Sequence, residues 1–175
     1  MLSWLVRHSS IRLLLGLSAA YVVVFGLLIA GSDSSSGIVI LDLRFNYDVA
    51  TVYQVLEGLG EEGRRSYRLN ALTLDVVYPL VYSLTFAVLL VLLIPLDHAR
   101  HPLGFIALAP FSIAIFDLIE NACIAALVTS YPSRIEWLAE LVSWATPVKW
   151  TVAGLVLATI AWFGLRRLWL RLSAR

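Results

Sequence analysis

Four stretches of this chain are apolar over lengths that suit a membrane-crossing helix: residues 13–30, 76–96, 103–128 and 148–165. A spanning helix needs about 20 predominantly apolar residues. The hydrocarbon core of a bilayer offers no water to the backbone, so each segment there must satisfy its own amide and carbonyl groups. These stretches therefore predict helices and not loops or open strands.

The composition agrees with that prediction. Hydrophobic residues make up 60% of the chain, charged residues 14%, and the mean hydropathy is +0.85, far from the balance of an average soluble domain. We predict an all-α membrane protein, a single integral membrane domain over residues 1–175 built as a four-transmembrane-helix bundle. The predicted spans cover about residues 11–31, 75–96, 103–128 and 147–168, the last opened by Pro147 at a helix-start position.

The first apolar stretch also resembles a secretory signal peptide, because it follows Arg7 and Arg12. Its length argues against cleavage, since the apolar region of a signal peptide is usually about 7 to 15 residues long. The residues before Gly31 are also a poor small-x-small cleavage site. We therefore expect a retained helix.

The arginines predict the orientation. Both termini and the turn after the second span together hold one acid, Asp97, against seven arginines: Arg7, Arg12, Arg100, Arg166, Arg167, Arg171 and Arg175. The opposite side carries more acids than cations. Because cytoplasmic loops carry the excess of positive charge, both termini are expected to be cytoplasmic in a multi-pass protein.

The outer loop, residues 32–74, is expected to contain an amphipathic helix. It opens with a serine-rich link, and the run IVILDLRF favours β structure but lacks the alternation of a clear strand. The segment NYDVATVYQVLEGLG then offers Asn46 or Asp48 as an N-cap and a stop at Gly58 or Gly60. From there the pattern stays helical into the second span.

A second helix is expected outside the membrane at residues 133–146. Trp137 and Trp144 lie in this segment, and tryptophan is enriched at membrane interfaces. The segment is therefore predicted to be an outer interfacial helix that precedes the fourth span.

Three polar residues interrupt the third span. Asp117, Glu120 and Asn121 are spaced by three and four residues, so they share one helix face. A charged side chain at the bilayer centre costs about 2.5 to 3.5 kcal/mol even on insertion scales. Two acids one turn apart indicate a shared proton, a cation or a wet cavity. They could also form a structural polar knot, since interhelical hydrogen bonds in membranes contribute about 0.6 to 2 kcal/mol.

Residues of the neighbouring spans are expected at the same depth. Asp75, Tyr78 and Tyr82 share a face at the outer end of the second span, and Arg68 extends that face outward. The fourth span runs in the same direction and carries Lys149 at its outer end. The predicted polar site therefore consists of Asp75, Tyr78, Tyr82, Arg68, Asp117, Glu120, Asn121 and Lys149.

Lys149 is the only lysine in the chain. A buried lysine can lose its proton and serve as a Schiff base, a proton relay or a counter-ion, which arginine does not. Alternatively, the side chain reaches the lipid headgroups next to Trp150. The functional interpretation is a pair between Lys149 and Asp117, Glu120 or Asp75.

Other chemistries find little support. Cys123 is the only cysteine, and no phosphate-binding loop, nucleophile elbow or zinc-protease motif occurs. His98 and His101 beside Asp97 are explained as well by a tight turn before Pro102 as by a metal. We therefore predict no metal site, the cofactor stays unknown, and the charge balance predicts no nucleic-acid partner.

Three function classes remain. The first is binding of a lipid or other small amphiphile in the outer half of the bundle, where Lys149 and the arginines meet an anionic headgroup. The second is a structural or accessory subunit whose acids form a packing knot and whose loop contacts a membrane-protein partner. The third is an intramembrane enzyme that uses Glu120 as acid or base, Asp117 as its electrostatic partner and Lys149 or Tyr78 to stabilise negative charge. The enzyme ranks last because no nucleophile is visible.

Overall fold

The computed structural model describes residues 1–31, 38–94 and 102–174, and in these ranges all regular secondary structure is helical. Short 3-10 helices at Leu41–Leu43 and Pro102–Leu108 precede the third and sixth α-helices. The α-helices in chain order are α1 (Leu2–His8), α2 (Ile11–Gly31), α3 (Val49–Gly58), α4 (Gly60–Leu72), α5 (Leu74–Leu93), α6 (Ala109–Ser130) and α7 (Glu136–Ser173). The predicted all-α class is confirmed.

Within the described ranges, four helical segments are long and apolar enough to cross a membrane: Ile11–Ala30, Gly60–Leu93, Gly104–Ser130 and Glu136–Ser173. Each contains or overlaps one predicted span. The serine-rich link at residues 32–37 and the turn with Asp97, His98 and His101 lie outside the described residues.

α3 begins directly after Asp48, which is one of the two predicted N-caps. The Asp48 carboxylate accepts a hydrogen bond from the Thr51 amide at 2.8 Å and so pairs an amide that has no partner within the helix. α3 ends at Gly58, and Gly60 has a φ of +65°, a conformation that glycine adopts at little cost. The chain therefore turns sharply from α3 into α4.

The fourth span differs from the prediction, because residues 133–146 and 147–168 do not form two separate helices. Glu136–Ser173 is one helix, and Pro147 lies inside it. Proline removes one backbone donor, here the partner of the Ser143 carbonyl. Membrane helices tolerate such interior prolines because neighbouring polar groups and local adjustments satisfy the freed backbone groups. Pro147 would fit the first turn of a helix, but no helix begins there.

Two hydrophobic cores hold the helices together. The first, the loop-side core, joins α3 and α4 to the end of α6 and the start of α7, and it includes Leu56, Ile124 and Val142. The second, the bundle core, lies around α5 and the later part of α7 and includes Leu90 and Val156. The polar residues of α6 and α7 lie between these two cores along the chain.

Candidate functional site

An ion-pair cluster links α6 to α7 between the two cores. The Lys149 ammonium donates to Asp117 Oδ1 at 3.0 Å and also to Glu120 Oε2. The side chains of Lys149, Asp117 and Glu120 are 8%, 13% and 0% exposed, respectively. Lys149 therefore pairs with both acids of α6 and does not extend to the surface. Its ammonium lies where a metal ion shared by these two carboxylates would lie.

Three hydroxyl groups complete this cluster. The Tyr82 hydroxyl donates to Asp117 Oδ2 at 3.0 Å, and the Thr146 hydroxyl donates to Glu120 Oε1. The Tyr47 hydroxyl lies 2.6 Å from Thr146 Oγ1 and extends the chain of hydrogen bonds into the segment before α3. All four carboxylate oxygens of Asp117 and Glu120 therefore accept a hydrogen bond. We call Tyr47, Tyr82, Asp117, Glu120, Thr146 and Lys149 the polar network.

Tyr47 offers a mild test of this network. Replacing Tyr47 with phenylalanine keeps the buried ring and removes the hydroxyl, and we expect a loss of about 1 kcal/mol of stability, typical of one intramolecular hydrogen bond. Thermal unfolding in detergent measures it. Tyr131→Phe is the matched control, because the Tyr131 hydroxyl has no hydrogen-bond partner among the described residues. Equal melting temperatures for the two variants would contradict a role for Tyr47 in the network.

Asn121 and Asp75 meet through the backbone. The Asn121 amide donates to the carbonyl of Asp75 at 2.7 Å. In a regular helix that carbonyl would accept from the amide of residue 79, but residue 79 is proline and has no N–H. The buried Asn121 thus supplies the bond that Pro79 cannot, which makes it a structural link between α6 and α5.

The remaining predicted residues are less close to the ion pair. The Tyr78 hydroxyl donates to the Tyr21 hydroxyl of α2 at 3.2 Å. Arg68 is exposed, and its guanidinium lies 3.4 Å from the Thr129 hydroxyl, outside the polar network. Four of the eight predicted residues therefore form the network, Asp75 and Tyr78 lie beside it, Asn121 supports it, and Arg68 lies apart.

A cavity of about 370 Å³ lies against the network. α2, α4, α5, α6 and α7 contribute to its walls, together with the segment before α3. Its charged and polar lining comprises Asp42, Tyr67, Asn70, Asp75, Asp117 and Lys149. Glu120 does not line it, so the network separates this acid from the cavity.

One wall of the cavity is aromatic. Tyr21 and Phe25 of α2 face Tyr78 of α5, with ring centroids 5.5 and 5.9 Å from it. Tyr82 and Phe86 continue the wall along α5, and the Tyr78–Tyr82 and Tyr82–Phe86 centroid distances are 5.2 and 6.0 Å. Aromatic pairs at these distances stabilise each other beyond their buried area. The cavity thus combines a charged region with an aromatic surface.

Asp42 is the main site residue that sequence reasoning missed. Its Oδ2 accepts from the Tyr67 hydroxyl at 2.8 Å, and its backbone carbonyl accepts from the Trp150 indole at 3.2 Å. Its Oδ1 is enclosed and has no hydrogen-bond partner among the described residues. Burial raises the pKa of the Asp42 carboxyl, while the positive charge of Lys149 opposes this shift. The available signal was an acid alone in the apolar run IVILDLRF.

No cluster of three or more histidine, cysteine, aspartate or glutamate side chains in the described parts of the chain could hold a metal ion. No protein-family model matches the chain, and neither a curated protein nor a solved structure is detectably similar to it.

Proposed function

We propose that this chain is a multi-pass integral membrane protein that binds a lipid or other small amphiphile in the cavity. The observation that carries the proposal is the division of the lining into a charged part and an aromatic and aliphatic part. A volume of about 370 Å³ falls within the range of about 300 to 1,000 Å³ that is usual for small-molecule sites. Such a lining suits a ligand with a polar head and an apolar tail.

The helix arrangement supports entry from the bilayer. α2 packs mainly against α5 and hardly touches α7, although α2 and α7 both line the cavity. Phe25 and Ile29 of α2 and Leu157 of α7 line it and are also exposed. An amphiphile dissolved in the membrane could therefore reach the cavity between these two helices.

The proposed orientation places both termini in the cytoplasm, as the arginine distribution favours. α3 and α4 then lie on the outer side. The charged part of the cavity, which includes Asp42 and Asp75, would face the outer headgroup region, and the tail would point toward the bilayer centre. An amphiphile within a bilayer has that same orientation.

The closed polar network supports a second candidate, a structural or accessory subunit. A fully hydrogen-bonded buried network can serve to hold helices in register. The network alone, however, does not account for a cavity with an unpaired carboxylate oxygen. The enzyme interpretation has less support, because Glu120 does not line the cavity and the described part of the lining contains no serine, threonine, cysteine or histidine.

Filling the cavity tests the proposal. Ala153 lines it, and Ala153→Phe should displace the ligand by occupying its space. Native mass spectrometry of protein purified in mild detergent should detect a retained small molecule in the wild type and not in this variant. Ala158→Phe adds the same side chain at an exposed position of α7 and should keep the ligand. A wild type without bound ligand, or a ligand that survives Ala153→Phe, would contradict the proposal.

A further inference from the structure

We infer that the ligand of this cavity is a cationic amphiphile, with an amine headgroup held by Asp42 and Asp75 and a single apolar tail against the aromatic wall. The inference rests on the proposed binding function and specifies its ligand class. It reverses the charge expected from the sequence, which predicted an anionic headgroup.

The charge balance of the lining is the first argument. Among the described residues, three carboxylates line the cavity, those of Asp42, Asp75 and Asp117, against one cation, Lys149. The Lys149 ammonium is already shared between Asp117 and the glutamate behind it. No arginine in the described ranges lines the cavity. An anionic headgroup would therefore meet uncompensated negative charge, whereas a cationic one would neutralise it.

The second argument is the unpaired oxygen of Asp42. Buried carboxylate oxygens nearly always accept hydrogen bonds, and leaving one unpaired is unfavourable. Oδ1 of Asp42 lacks any partner in the described residues, although Oδ2 is bonded to Tyr67. An ammonium N–H from a ligand would supply that bond. Because burial raises the pKa of this carboxyl, a cation placed against it would also favour its charged form.

Asp75 supplies a second acceptor in the lining of the cavity. Its carboxylate accepts no hydrogen bond from a described residue, since the bond from Asn121 goes to its backbone carbonyl. The carboxylates of Asp42 and Asp75 both line the cavity. A primary ammonium carries three N–H donors and can bridge two carboxylates, which relieves their mutual repulsion.

The rest of the lining argues for a tail and against a bare metal ion. Beyond the carboxylates, the lining continues through the rings of Phe25 and Phe86 to the aliphatic side chain of Leu157. A hard cation such as Ca²⁺ requires six to eight oxygen ligands and gains nothing from these surfaces. An alkyl chain, in contrast, would gain stability by removing apolar area from water.

Matched alkyl probes test the inference by titration calorimetry in neutral detergent. The probes are decylammonium, decanoate and decanol, which share one tail, and ethylammonium, which has the charge without the tail. We expect the wild type to bind decylammonium at least about tenfold more tightly than decanoate, as a charged hydrogen bond would produce. Ethylammonium should bind much more weakly than decylammonium, which would identify a membrane-dissolved amphiphile and not a water-soluble amine as the ligand.

The variants locate the headgroup. Asp42→Asn should weaken decylammonium binding about tenfold and weaken decanol binding much less, because decanol carries no charge that the lost carboxylate would attract. Asp48→Asn is the control, since Asp48 is exposed in the same loop and asparagine caps helices equally well. Asp75→Asn should weaken decylammonium in the same way. It serves as the test if Asp42→Asn does not fold.

The outcomes separate the inference from the function beneath it. Decanoate binding as tightly as decylammonium would overturn the cationic ligand, and so would decylammonium binding that neither Asp42→Asn nor Asp75→Asn weakens. Ethylammonium binding as tight as that of decylammonium would mean that the tail contributes nothing, which would overturn an amphiphilic ligand. If decanol still binds the wild type and not Ala153→Phe in those cases, the binding function stands without the inference. Failure of every probe to bind would overturn both.

Discussion

Replacing Lys149 with methionine is expected to lower the free energy of unfolding by about 3–5 kcal/mol, the usual cost of removing one partner from a buried ion pair. Methionine keeps most of the side-chain volume, so the loss comes from the charge. Asp117 and Glu120 would remain buried without their shared cation. Unfolding in detergent, followed by circular dichroism, measures the change. Arg65→Met removes a cation at an exposed position and should be nearly neutral.

The pairing itself is measured by a double-mutant cycle. Glu120→Gln alone removes one acceptor of the Lys149 ammonium, and we expect the double variant Glu120→Gln with Lys149→Met to be less damaging than the two single losses added together. The reason is that the second replacement removes a charge that the first has left unpaired. Losses that simply add would rule out the pairing, even if each single variant is unstable.

Replacing Leu56 with alanine is expected to destabilise the protein by about 2–5 kcal/mol, as is typical when a fully buried leucine is truncated. Leu56 is 0% exposed in the loop-side core, where α3 packs against α6 and α7. The loss of stability comes both from the apolar area that is no longer buried and from the cavity that alanine leaves. The control is Leu69→Ala on α4, because Leu69 is 62% exposed. The same unfolding assay compares the two variants.

The comparison of the Leu56 and Leu69 variants tests how α3 packs on the long helices. A loss at Leu56 that greatly exceeds the loss at Leu69 would show that the loop folds as one unit with the spans. If the two losses are equal, α3 does not pack as described. The segment that carries Asp42 would then lack its support, because Tyr47 and α3 hold this segment on α7.

Local patterns were sufficient to predict the four long apolar helices and four of the six residues of the polar network. Apolar runs of spanning length predict helices because the backbone has no alternative in lipid. The three-residue spacing of Asp117 and Glu120 predicted that both acids share one helix face. The antiparallel order of neighbouring helices predicted that Tyr82 and Lys149 lie at the same level of the bundle. Because burying an unpaired charge is costly, these two acids were expected to have a partner. The same argument did not apply to Arg68, because an exposed cation requires no buried partner.

The residues that were missed all depend on contacts between distant parts of the chain. The Tyr47–Thr146 hydrogen bond joins residues 99 positions apart, and the Trp150–Asp42 bond joins residues 108 positions apart. No periodicity reports such pairs. Pro147 illustrates the same limit, because a proline fits both a helix start and a satisfied interior position, and the surrounding packing decides between them.

The sequence by itself determined that this chain forms apolar helices and that its buried acids need a cation, since both follow from the cost of unpaired polar groups in an apolar environment. Only the tertiary structure decided which oxygens that cation satisfies. Lys149 pairs with Asp117 and Glu120, and Oδ1 of Asp42 has no hydrogen-bond partner in the described part of the chain. The sign of the charge that the cavity favours depends on this assignment. The remaining carboxylates favour a cationic ligand, whereas the lysine and the arginines near the site had suggested an anionic one.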